Sequence, residues 1–208
     1  MKKSLRLVVA IFSGLLAVGL TGSVYAGGDA MAGKDKSLVC AGCHGADGNS
    51  FAPNFPKLAG QHENYLIKQL KEFKSGVRKD STGMMLGMVA GLGEQDMADI
   101  SAYFASQKIK AGTTDSKYIL AGTQLYKAGN TATDISGCMG CHGPNGAGNP
   151  DANFPAIGGQ HADYVAKQLK EFRNGSRVND TAKMMQNITA RMTDADIEAL
   201  SSYITGLN

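Results

Sequence analysis

Cys40-Ala41-Gly42-Cys43-His44 and Cys138-Met139-Gly140-Cys141-His142 take up all four cysteines of the chain and two of its four histidines. Cys-x-x-Cys-His is the spacing for covalent attachment of a c-type haem. Each thiol can add across a vinyl group of the porphyrin, and the histidine that follows is then held where a ring nitrogen reaches the iron. Two complete copies predict two haem c groups and redox chemistry.

Other uses of four cysteines explain less. Two disulfides would leave the histidine after each pair without a reason. A zinc ribbon places its two knuckles about 15–20 residues apart, whereas 94 residues separate Cys43 from Cys138. A thioredoxin-like dithiol needs a strand–helix–strand setting, and no such pattern surrounds either pair.

The basic start at Lys2, Lys3 and Arg6 leads into an apolar run of 14 residues from Leu7 to Leu20. Small residues follow up to Ala26. This pattern predicts a secretory signal over residues 1–26, cleaved before Gly27, because a spanning helix needs about 20 apolar residues. Export suits covalent haem attachment, so the expected location is the periplasm. The chain has 21 basic and 18 acidic residues. The three leader cations account for this excess, and the balanced remainder argues against nucleic-acid binding.

The chain is a tandem duplication. Residues 55–78 match 154–177 at 14 of 24 positions, through Phe-Pro, Gly-Gln-His, Lys-Gln-Leu-Lys-Glu-Phe and the arginines Arg78 and Arg177. Each copy reads as helical. Short helices are expected after Asp29 and over Ser116–Lys127. A middle helix in the first copy, from His62 to Ser75, buries Tyr65, Leu66, Gln69, Leu70 and Phe73 at helical spacing and ends at Gly76. Closing helices start near Glu94 and Asp194, the second with Thr193 as its cap and Asp196 three residues on. No segment alternates long enough for a sheet. The reading is an all-α fold of two tandem cytochrome c domains, 27–110 and 111–208, with the Gly- and Thr-rich segment 108–116 between them. Aromatics are few (no Trp, seven Tyr and seven Phe), so a haem is expected at the centre of each core, with the haem-free chain largely unfolded.

One iron face belongs to His44 and the other copy's to His142, and the opposite face decides the function. Two candidate sets recur: the Met84-Met85 and Met184-Met185 pairs, and His62 with His161. Spacing favours methionine, because Met85 and Met185 follow the proximal histidines by 41 and 43 residues, shortly before the closing helix. His62 and His161 open the middle helices, where solvent-facing positions are expected. Met88 corresponds to Ile188 in the second copy and reads as packing. The duplication alone does not separate Met84 from Met85.

Over nearly all of residues 27–208 the chain resembles the dihaem cytochrome c4 family. The residues carrying the likeness are Cys-Ala-Gly-Cys-His-Gly at 40–45 with Asp47-Gly48-Asn49-Ser50, Asn-Phe-Pro-Lys-Leu-Ala-Gly-Gln at 54–61, the closing-helix run 94–104, Gly-Gln-His at 159–161 and the run 196–204. The resemblance implies Met85 and Met185 as the sixth ligands. It also implies a pseudo-two-fold pair of domains and a periplasmic electron carrier, sometimes associated with the membrane, that serves terminal oxidases. One departure is Gly-Leu-Gly-Glu at 91–94, expected to loosen the cap of the closing helix.

No small-molecule substrate or enzymatic step is expected. Redox partner proteins are: a membrane-bound reductase or dehydrogenase on one side and a terminal oxidase on the other. A dihaem peroxidase, with one open iron, and a cytochrome subunit of a dehydrogenase are the rival readings. For the proximal histidines, Pro53 or Pro56 and Pro155 are candidate carbonyl acceptors. Arg78 and Arg177 are read as exposed residues after a helix, with pairing to haem propionates as the alternative.

Overall fold

The computed structural model describes residues 27–208; the expected leader, 1–26, lies outside the described residues. Asp29 starts the first helix, α1 (Ala30–Lys36), by accepting the N–H groups of Met31 and Ala32 on its carboxylate. Those donors have no partner within the helix, so an aspartate here stabilises its start by about 1 kcal/mol. A 3-10 turn over Ser37–Val39 leads into the one-turn helix α2 (Ala41–His44). Helices α3 (Glu63–Lys74), α4 (Met84–Val89) and α5 (Glu94–Ala105) complete the first half.

The second half repeats the order. A 3-10 turn at Ser116–Tyr118 precedes α6 (Ile119–Lys127), followed by α7 (Met139–His142), α8 (Ala162–Arg173), α9 (Met184–Thr189) and α10 (Asp194–Gly206). The described residues contain no strand, only the isolated bridges Asn130–Ile135 and Asn149–Phe154. The all-α expectation is therefore borne out.

Glycine decides where the first and last helices of each half cross. A Cβ on Gly33 would lie 1.9 Å from the Asp99 carbonyl oxygen, and one on Gly122 would lie 2.4 Å from Tyr203 Cβ. Only a hydrogen side chain lets α1 meet α5, and α6 meet α10, at that distance. The closing helices then present Ile100 and Phe104, or Ile197, Leu200 and Ile204, to the interior.

The two interiors differ in extent. In the first half Leu66, Ile100 and Phe104 form a small buried cluster with Cys40, Leu58, Leu92 and Tyr103 packed on it. The second half has a larger one around Leu125, Tyr126, Leu169, Met192 and Ile197, on which Cys138 and Met185 pack. In both, a cysteine of the Cys-x-x-Cys pair lies against the core. At the departure over 91–94, Asp96 Oδ2 accepts the Gly93 N–H at 2.9 Å, so the cap keeps this contact even though Gly93 has no side chain to offer. Thr193 and Asp196 form the full reciprocal box at the start of α10, as expected.

The halves meet through polar side chains exchanged across a pseudo-two-fold axis. Gln61 engages the backbone of Ala156, and Gln160 engages that of Lys57. Arg78 donates to Tyr164 Oη and Gln168 Oε1, while Arg177 donates to Tyr65 Oη and Gln69 Oε1. The arginines are not exposed as expected: they are 9% and 7% accessible, and they stack on Phe73 and Phe172. The aromatic face and the crossing acceptors together compensate for burying each guanidinium.

Candidate haem sites

His44 sits at the end of α2, 7% accessible, with Nδ1 2.9 Å from the Pro56 carbonyl oxygen. His142 has the same place at the end of α7, 8% accessible, with Nδ1 2.9 Å from Pro155 O. A carbonyl can only accept, so Nδ1 carries the proton and Nε2 keeps a lone pair for a metal. Burial pulls both imidazoles below their ordinary pKa, partly opposed by these hydrogen bonds. They are therefore neutral, as an iron ligand must be.

The residue before each proline completes the clamp. Phe55 sets its ring edge-on to His44 with centroids 6.2 Å apart, and Phe154 lies 6.5 Å from His142. The repeated Phe-Pro pair thus supplies one packing ring and one acceptor carbonyl to each proximal histidine. Of the two prolines left open for His44, Pro56 is the acceptor.

Cys40, Cys43, Cys138 and Cys141 form no disulfide and are partly buried. Burial pushes Cys40 up from its ordinary pKa and carries Cys138 to about 11. A catalytic dithiol needs the opposite, a thiol pKa lowered towards neutrality. Among the described residues no three His, Cys, Asp or Glu side chains converge on a possible metal-ion site. What remains fits haem c: two thiols one turn apart, followed by an oriented, neutral imidazole.

Met85 and Met185 occupy the second position of α4 and α9, both partly buried. Met185 shares the second core with Cys138, whereas Met85 lies outside the first-half cluster. Met84 is 45% accessible; Met184 is partly buried. The expectation that His62 and His161 face solvent fails. His161 Nε2 lies 2.9 Å from both the carbonyl and the hydroxyl of Ser50 across the interface, and His62 Nε2 is buried. Their positions at the boundary between the halves, just before α3 and α8, explain the burial.

Two halves that each clamp a histidine behind a thiol pair define a dihaem c-type cytochrome. The family model described as Cytochrome c matches twice, over residues 30–108 and 119–208. Cytochrome c4 of Pseudomonas aeruginosa is 53% identical over 195 residues, covering 93% of this chain and 96% of the relative. The chain belongs to the cytochrome c4 family.

The crystal structure of reduced recombinant cytochrome c4 from Pseudomonas stutzeri superposes with a TM-score of 0.84 at 50% identity, covering 87% of this chain and all of that one. A more distant relative is the thiosulfate dehydrogenase electron acceptor of Thiomonas intermedia, 32% identical, covering 91% of this chain and 89% of the relative. The protein therefore carries two haem c groups and is an electron carrier rather than an enzyme.

What residue types alone do not show is the interface. Gln61, Gln160, Arg78 and Arg177 all recur in the two copies, which was the available signal. Their recurrence did not show that each reaches into the other half.

Proposed function

We propose that the chain, cleaved after residue 26, works in the periplasm as a two-electron shuttle with domains 27–110 and 111–208. In this reading His44 and Met85 ligate one iron, and His142 and Met185 the other. The observation that carries it is the repeated frame: a clamped neutral histidine in each half, and a short helix, α4 or α9, with methionine at the same position. Each haem, when bound, supplies an iron that accepts and returns one electron.

The chain's residues do the rest. His44 and His142 are held in one tautomer and one orientation by Pro56 O and Pro155 O, so they need not reorganise when the iron changes charge. Met85 and Met185, as the second protein ligands, would close the iron to peroxide and oxygen and raise its potential relative to a second histidine. Both features favour a carrier.

The donor is proposed to be a membrane-bound reductase or dehydrogenase, and the acceptor a terminal oxidase of the respiratory chain, with peripheral membrane contact. Among the described residues no helix is long and apolar enough to cross a membrane. Likeness to the thiosulfate dehydrogenase electron acceptor supports a second reading, in which a thiosulfate dehydrogenase is the donor.

The test is rapid mixing of the reduced, exported holoprotein with membranes containing terminal oxidases, alongside reduction of the oxidised protein by candidate dehydrogenases. Fast oxidation with slow reaction towards hydrogen peroxide is expected. Steady-state peroxidase turnover would instead assign the chain to the dihaem peroxidases.

A further inference from the structure

The loop that leads into each proposed ligand methionine is tied by an aspartate. In the first half, Asp80 Oδ2 accepts the N–H of Met85 at 2.9 Å. Its Oδ1 accepts the N–H of Thr82 at 2.9 Å and that of Met84 at 3.2 Å, together with the Thr82 hydroxyl. Met84 and Met85 are first-turn residues of α4, whose N–H groups have no partner within the helix. Gly83, the residue just before α4, stands at φ 70° and offers no side chain to cap it. One carboxylate therefore accepts three backbone N–H groups, from Thr82, Met84 and Met85, and the Thr82 hydroxyl in the turn between them.

The second half has the same device with a different grip. Asp180 Oδ2 accepts the N–H of Gln186 at 3.0 Å, and Oδ1 accepts the Gln186 side-chain amide at 2.6 Å. The loop there carries Ala182 at φ 53° and Lys183 at φ 56°, left-handed backbone that non-glycine residues adopt only under constraint. Met185 has further support: it packs on the second core, and its carbonyl accepts the Thr189 hydroxyl at 2.8 Å. In α4 the residue matching Thr189 is Val89, which has no hydroxyl.

We propose that Asp80 and Asp180 are positioning residues for the sixth iron ligand, and that Met85 depends on its aspartate more than Met185 does. The inference rests on the Met85/Met185 reading of the ligands. Its physical basis is that a thioether is a neutral, weak ligand whose residence on the iron depends on how firmly its loop is held. A charge-assisted hydrogen bond to the ligand residue's own N–H opposes swinging that residue away. Asp80 grips Met85 itself. Asp180 grips the next residue, and Met185 is also held by its core contacts and by Thr189.

The test uses the mature holoprotein with both haems attached and cyanide as the probe, since cyanide binds ferric haem once methionine leaves. Cyanide-binding rates, the ferric methionine charge-transfer band and the melting temperature are measured for Asp80→Ala, Asp80→Asn, Asp180→Ala and Met85→Ala. Asp80→Ala should accelerate cyanide binding at one haem by at least about ten-fold, the scale of losing the charge-assisted bond to the Met85 N–H alone, and leave the other haem unchanged. Asp80→Asn keeps one carbonyl acceptor and should fall between, so it decides the question if Asp80→Ala does not load haem. Asp180→Ala should act on the other haem, and less strongly.

Unchanged rates in both Asp80 variants would overturn the proposal. So would equal acceleration at both haems accompanied by a lower melting temperature, which marks general loosening. Met85→Ala separates the two layers. If it keeps the charge-transfer band of both haems, the ligand reading itself fails. If it loses one band while the Asp80 variants behave like the parent, only the aspartate role falls.

Discussion

Gln61 holds the backbone of Ala156 by both of its polar groups: Nε2 donates to the carbonyl at 2.8 Å, and Oε1 accepts the N–H at 2.9 Å. Gln160 does the same to Lys57, at 2.9 Å for each bond. Lys57 directly follows Pro56, whose carbonyl orients His44, and Ala156 directly follows Pro155, whose carbonyl orients His142. The interface therefore reaches to within one residue of both proximal hydrogen bonds. Each half helps to hold the other's histidine clamp.

That relationship predicts coupled unfolding. Gln61→Ala and Gln160→Ala each leave a backbone N–H and C=O without partners at the interface, at a cost of about 1–3 kcal/mol per unsatisfied group. Calorimetry of the holoprotein should show one transition in the parent and a broadened or split one in the double variant. A double variant that melts in one sharp transition at the parent's temperature would show that the clamp carries no coupling.

Ligation gives the second prediction. Met85→Ala and Met185→Ala should each abolish the ferric methionine band of one haem and lower that haem's potential. Met84→Ala, Met184→Ala and Met88→Ala should leave both haems low-spin with methionine still bound. Loss of a sixth ligand in His62→Ala or His161→Ala would support bis-histidine ligation instead.

What the sequence made legible follows from which signals are local. The Cys-x-x-Cys-His spacing, the helical period over 63–74 and the Thr193/Asp196 box depend on neighbours in the chain, and α3 and α10 formed as expected. The acceptor of the histidine proton was narrowed to prolines because a turn carbonyl is a common partner. The choice of Pro56 over Pro53 needed the fold. Arg78 and Arg177 were misread because a charged residue just past a helix is usually solvated. Beside a glutamine of its own half, each arginine reaches partners in the opposite half about 90–110 positions away in the chain, Tyr164 and Gln168 for Arg78, Tyr65 and Gln69 for Arg177. The contacts of Asp80 are not legible in the sequence, because they lie in backbone geometry that residue types do not encode.

A pH dependence follows from Asp99. Its carboxylate accepts from Lys36 Nζ at 2.6 Å, Asp29 N–H at 2.8 Å and Gln95 Nε2 at 2.8 Å, joining the start of α1 to α5. These partners, Lys36 foremost, hold its pKa down at about 2. A carboxylate with a lowered folded-state pKa stabilises the fold above its unfolded pKa of about 3.9, and that contribution is lost as pH falls towards 2. Asp99→Asn should therefore destabilise the first half at neutral pH, by about 1–3 kcal/mol. The gap between variant and parent should close as the pH drops from about 4 to 2. Chemical denaturation across that range, followed by the absorbance of the haem, checks both the sign and the window; a gap constant with pH would place the cost in packing rather than charge.

The last prediction concerns unequal potentials. Lys57 is buried, and its ammonium donates to the carbonyls of Lys110 and Gly159, the latter at 3.1 Å. Its counterpart in the second half is Ala156, which carries no charge. Burial lowers the Lys57 pKa, and the two carbonyl acceptors favour the charged ammonium over the neutral amine. A fixed cation one residue beyond the His44 acceptor disfavours the extra positive charge of oxidised iron, and low polarisability around it weakens screening. Lys57→Met should lower the potential of the haem at His44 by on the order of tens of millivolts and move the other haem less. Ala156→Lys should raise the potential at His142 if the introduced ammonium finds equivalent carbonyls. Spectroelectrochemical titration of both variants, with the haems told apart by Met85→Ala and Met185→Ala backgrounds, measures each shift. Equal movement of both haems in Lys57→Met would show that the residue acts through the interface as a whole rather than through its charge on one site.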